Sequence, residues 1–138
     1  MKRRRSVATC GIVLAAWWCF AQIPVSSRVI EVLADKDSRY KIVGEKIPEI
    51  SVKTREPIVL RITARKAKSW NRDGSIHGFS LLRAKDRSKV AGWDLLLKPG
   101  TQEFSMIAPD EPGEYVVVCT VICSEDHEGM FMRFVVTQ

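Results

Sequence analysis

Between Arg28 and the C-terminus, apolar and polar residues alternate in short runs, and turn residues close each run before a helix could be built. Val29–Leu33 alternates about Glu31, and Ile58, Leu60 and Ile62 alternate with Val59, Arg61 and Thr63. Ile76–Leu82, Phe104–Ile107, Tyr115–Val118 and Met130–Val136 continue the series. Period-2 patterning puts one face of each run in a core and the other in water, which is the signature of half-buried strands. Glu56-Pro57, Arg72-Asp73-Gly74, Lys98-Pro99-Gly100 and Asp110-Glu111-Pro112-Gly113 supply the breaks. Strands recurring every ~10–15 residues, with no long amphipathic helix between them, predict an all-β Greek-key β-sandwich of antiparallel strands and not an α/β sheet. Asp35–Lys46 is polar and reads as a loop or an edge. No repeat and no second domain are visible, so residues 28–138 are expected to form one domain.

The N-terminus is different in kind. Lys2, Arg3, Arg4 and Arg5 precede the apolar run Val7–Ala21, and Cys19 and Ala21 have the small-residue spacing of a cleavage site. Residues 1–21 therefore read as a signal peptide or N-terminal anchor. The run is roughly 15 residues where a span wants about 20, which favours cleavage; counting on through Val25 gives the anchor alternative. This segment accounts for much of the charge. The chain has 22 Lys+Arg and 16 Asp+Glu, and the four leader cations leave a remainder of 18 against 16. A near-neutral domain without a clustered basic face is not expected to bind nucleic acid. The run Arg61, Arg65, Lys66 and Lys68 reads as a solvated strand and loop, with a docking patch for an acidic redox partner as the alternative. Trp93 reads as core, and Trp70 as core or rim.

Cys10 and Cys19 fall in the leader, so the exported part keeps only Cys119 and Cys123. They stand in Cys119-Thr-Val-Ile-Cys123-Ser-Glu-Asp-His127-Glu-Gly-Met130, a C-x3-C-x3-H-x2-M pattern. Two thiolates, an imidazole and a thioether are soft or borderline donors that select copper over calcium or magnesium. The pattern lies between two strands, and the other exported histidine, His77, opens a third strand after the Asp73-Gly74 turn. A sandwich can bring that strand end against the loop. Three alternatives stand beside a copper site: a Cys119–Cys123 disulfide, a Cys2His2 zinc site with no use for Met130, and core packing for Met130 and Met132. A mononuclear His2Cys copper site would use one cysteine only.

The loop resembles the copper-A motif of cytochrome c oxidase subunit II and of nitrous oxide reductase. Ile76-His77-Gly78-Phe79 is similar to the upstream histidine segment of those proteins, and Ala108-Pro-Asp-Glu-Pro-Gly113-Glu-Tyr115 resembles their approach to the first cysteine. The resemblance covers Glu56 to the end and implies a cupredoxin-like fold with a dinuclear copper-A site of two copper ions. It implies that Cys119 and Cys123 bridge the two ions. His77, His127, Met130 and the backbone carbonyl of Val121 would complete the set, with Met130 as a weak axial donor. Two positions depart from the family. Val121 replaces an acidic or amide residue, which a carbonyl ligand tolerates. Ser124 replaces glycine, and a loop requiring positive φ there would resist it. The two-helix hairpin of the oxidase subunit and the propeller of the reductase are not in this sequence.

The function expected is exported electron transfer in the periplasm or another extracytoplasmic space. The partner would be a redox protein such as a c-type cytochrome or a terminal oxidase, with membrane attachment only through the N-terminus. The second expectation is a copper-handling protein that delivers the metal to an oxidase. Nothing in the sequence supplies an acid/base pair or an activated nucleophile, so the chain is expected to be no enzyme by itself. Asp73, Glu125 and Asp126 are candidates to fix the histidine tautomers.

Overall fold

A computed structural model describes residues 26–68 and 71–138. Residues 1–21, which the sequence suggests are a signal peptide or anchor, and Trp70 lie outside them. Nine strands follow one another: β1 (Arg28–Ala34), β2 (Tyr40–Ile42), β3 (Glu49–Lys53), β4 (Pro57–Ala64), β5 (His77–Arg83), β6 (Lys89–Leu97), β7 (Gly100–Ile107), β8 (Gly113–Val118) and β9 (Phe131–Thr137). The one helical element among the described residues is a 3-10 turn, His127–Gly129. No helix among them is long and apolar enough to cross a membrane.

The strands make two sheets, ordered β2-β1-β4-β7 and β3-β9-β8-β5-β6. Two pairs, β1 with β4 and β3 with β9, run parallel where the alternation had suggested an antiparallel sandwich. Periodicity specifies which face of a strand is buried and says nothing of its neighbour's direction. β4 shows the burial rule most simply: Ile58, Leu60, Ile62 and Ala64 point inward, and the residues between them point out. The inner faces meet in one cluster in which Trp93 packs edge-on to Phe134 at 5.3 Å, and Phe134 meets Tyr115 at 6.4 Å. Trp93 is thus core, as its sequence context suggested. Its indole N–H donates to the Ile107 carbonyl at 3.2 Å, tying β6 to the opposite sheet. The Tyr115 hydroxyl donates to the Glu111 carbonyl four residues upstream, pinning the corner that leads into β8.

On the outer face of the first sheet, Arg61 pairs with Glu31 on β1 and Glu103 on β7, so this part of the basic run is a solvated strand face. β5 and β8 are hydrogen-bonded neighbours, with Ser80 opposite Val118. That register sets the start of β5 beside the residues that follow β8, at one end of the sandwich.

Candidate metal centre

His77 is the first residue of β5, and the turn before it is closed locally. Gly74 has φ +82, a conformation that favours glycine. Asp73 accepts from both the backbone N–H and the hydroxyl of Ser75. Those hydrogen bonds, the Ser75 hydroxyl first, hold the Asp73 carboxyl below its ordinary range. Asp73 is therefore spent on the turn. The group that fixes His77 is the Arg65 carbonyl at the end of β4, 2.8 Å from Nε2. An acceptor there requires the proton on Nε2 and leaves Nδ1 with a lone pair. Nδ1 is buried and has no hydrogen-bond partner. The side chain is wholly buried, and burial lowers its pKa, opposed by the Arg65 contact.

Cys119 follows β8, and its backbone N–H donates to the Met130 carbonyl at 3.2 Å, closing the neck of the loop where β9 begins. Within the loop the Cys119 and Cys123 sulfurs lie 3.8 Å apart, both buried and not disulfide-bonded. One ligand atom from each of His77, Cys119 and Cys123 falls within 4.8 Å of the others. The Gly78 N–H donates to the Cys119 sulfur at 3.3 Å. Burial pushes the Cys119 thiol up to about 11, against the pull of that amide. The Val121 carbonyl oxygen is 3.0 Å from the same sulfur. Met130 and Met132 are both buried on the inner side of the strand that leaves the loop.

His127 is not one of the three residues so gathered. It sits half-buried in the 3-10 turn, its Nδ1 donating to the Ser124 carbonyl at 3.0 Å. It borders a shallow depression with Lys68, Ile122 and Glu125. Asp126 and Glu125 are exposed, and neither is hydrogen-bonded to a histidine ring. Ser124 is not among the residues with positive φ, so a side chain fits where the resembling family usually has glycine.

Several supporting contacts carried no signal in the sequence. A Cβ on Gly78 would lie 2.7 Å from Thr120 Oγ1 and 2.9 Å from the Thr120 backbone nitrogen, so only glycine lets β5 approach the loop this closely. Ser80 donates to Asp94 and meets Thr120 Oγ1 at 2.9 Å, anchoring the residue next to Cys119 to β6. The Tyr40 hydroxyl donates to the Gly78 carbonyl from the other sheet.

This arrangement fits a soft metal ion. His77 with its orphaned ring nitrogen, two buried sulfurs and an adjacent carbonyl oxygen lie together, and no protein group satisfies that nitrogen. Neither a protein-family profile nor a curated protein matches the chain. Solved structures do. The chain is similar to auracyanin A, a "blue" copper protein from the green thermophilic photosynthetic bacterium Chloroflexus aurantiacus. The TM-score is 0.58 at 17% identity, over 81% of this chain and 100% of that one. It is similar to the periplasmic domain of subunit II of cytochrome oxidase from Bradyrhizobium japonicum, with TM-score 0.51 and 15% identity over 85% and 88% of the two chains. A chain of a heme-copper terminal oxidase dimer matches at TM-score 0.52 and 16% identity, over 93% of this chain and 77% of that one. At such identities the likeness is one of fold, and this two-sheet sandwich with the Cys119–Met130 loop between the last two strands is the cupredoxin fold, shared with the periplasmic domain of oxidase subunit II.

Proposed function

We propose that the protein is an exported electron-transfer module that holds two copper ions in a copper-A type site. The single observation behind this reading is the buried cluster in which His77, whose Nδ1 has no partner, brings a ring nitrogen within 4.8 Å of two thiols that are themselves 3.8 Å apart. His77, Cys119, Val121 through its carbonyl, Cys123, His127 and Met130 are the ligands proposed. Cys119 and Cys123 would hold the copper together with the other ligands, and bound copper would supply one-electron redox chemistry there. The protein's own part is to prearrange the donors. The Arg65 carbonyl fixes the His77 tautomer, the Gly78 N–H is aimed at the Cys119 sulfur, and the Val121 carbonyl already lies against the same sulfur. Donors held by strand ends need little movement when the charge of the site changes, which favours electron transfer over binding alone. The proposed partner is a redox protein such as a c-type cytochrome or a terminal oxidase.

One observation favours a second reading, copper delivery. His127 lies on a surface turn outside the buried three, where it could pass a cargo ion inward or outward. Copper content and an EPR spectrum of the loaded protein separate the readings. The electron-transfer reading expects two ions per chain and a delocalised mixed-valence signal. A single copper per chain, readily lost to a chelator, would support delivery. Zinc in the purified protein would refute both.

A further inference from the structure

The β1–β2 connection belongs to the sheet opposite the ligand loop, yet it closes over that loop. Ser38 is 1% exposed, and its φ of 55° is left-handed, a conformation that non-glycine residues adopt only when their surroundings impose it. Its hydroxyl is 2.7 Å from the Ser124 hydroxyl and 3.7 Å from the Cys123 sulfur. Next to it, Arg39 donates to the Ser38 carbonyl and packs over Gly129, where a Cβ would lie 3.3 Å from its Nη1. The two sulfurs are thus served differently. Cys119 faces a backbone N–H from β5, and Cys123 faces a side-chain hydroxyl from the other sheet.

We propose that Ser38 is a positioning residue that tunes the Cys123 sulfur, with Ser124 as its relay. The proposal rests on the copper reading above. In the thiol form, the Cys123 S–H donates to Ser38 Oγ. When Cys123 ligates a metal that proton leaves, so the roles reverse. The Ser38 O–H donates to the thiolate, and the Ser124 O–H, 2.7 Å away, donates to Ser38 Oγ. A hydrogen bond to a thiolate is charge-assisted, and its strength grows with the negative charge on the sulfur. Adding one electron to a thiolate-bound centre raises that charge, so the hydroxyl favours the reduced state. Ser124 stands where the resembling family usually has glycine, and the relay hydroxyl is what this chain gains there.

The test is a potentiometric titration of copper-loaded wild type, Ser38→Ala, Ser38→Gly and Ser124→Ala. Both Ser38 variants are expected to bind as much copper as wild type. At the wild-type midpoint, their oxidised-to-reduced ratio should rise about fivefold, the worth of one hydrogen bond. Ser124→Ala should shift the ratio the same way by less. Glycine relieves the left-handed backbone and alanine does not, so agreement between them assigns the effect to the hydroxyl. A shift in the alanine variant alone, or no shift in either, overturns the proposal while leaving the copper reading intact. A wild type that takes up no copper overturns both.

Discussion

Cys119 and Cys123 stand four positions apart in sequence and 3.8 Å apart at sulfur. Either one changed to serine should abolish copper uptake at the paired site, since a serine oxygen is a hard donor that replaces thiolate poorly. Cys10→Ser should leave uptake unchanged if, as the sequence suggests, residues 1–21 are a signal peptide or anchor apart from the proposed ligands. Copper per chain and visible absorbance check both. Met130 and Met132 offer a finer comparison, being equally buried at 1% exposure. Met130→Leu is expected to keep the copper and shift the reduction potential, at a stability cost below about 1.5 kcal/mol. Met132→Leu should leave the potential alone. A potential that moves with Met132 and not with Met130 would transfer the proposed thioether ligand from Met130 to Met132. The x2 spacing after His127 singled out Met130, whereas burial does not tell the two apart.

At the level of elements, the contact that matters most joins the start of β5 to the loop after β8. Gly78→Ala puts a methyl group 2.9 Å from a backbone nitrogen, which cannot swing away as a side chain could. The strand and loop must part, carrying His77 away from Cys119. We expect about 1–3 kcal/mol of destabilisation, typical of overpacking, together with weaker copper binding, read by chemical denaturation and chelator competition. Full affinity in this variant would mean that the loop carries the site without β5. The strands themselves were unevenly legible. β4 and β9 alternate over seven or eight residues and stood out. β2 has three residues inside a polar stretch, and β3 buries only Ile50 and Val52 of five, too little pattern to declare a strand. The polar stretch Asp35–Lys46, read as a loop or an edge, is both, since β2 forms an edge of its sheet.

At the scale of the molecule, the two sheets meet around charges as well as apolar side chains. Asp35, 7% exposed at the end of β1, faces Lys41 at 2.6 Å, Arg65 at 3.7 Å and the Lys36 N–H at 2.8 Å, with His77 close enough to feel its charge. The Lys41 hydrogen bond foremost holds its carboxyl below the ordinary value, with burial opposing. A depressed folded-state pKa means a contribution that is complete above the unfolded value of about 3.9 and lost as pH falls below it. In the metal-free protein, Asp35→Asn should therefore cost stability at pH 6 and cost progressively less below about pH 4. Urea midpoints across that range check it, and a constant difference at every pH would remove Asp35 from the acid response. What the sequence determined by itself was local: which faces of the strands are apolar, where the turns fall, and the Cys119–Cys123–His127–Met130 spacing, all written within a dozen residues. Only the tertiary structure decided that the Arg65 carbonyl orients His77, that Gly78 must lack a side chain, and that Ser38 reaches Cys123 across 85 positions of chain. Those contacts depend on which strands pair, in which direction and in what register, and a period of two residues is the same for every such pairing.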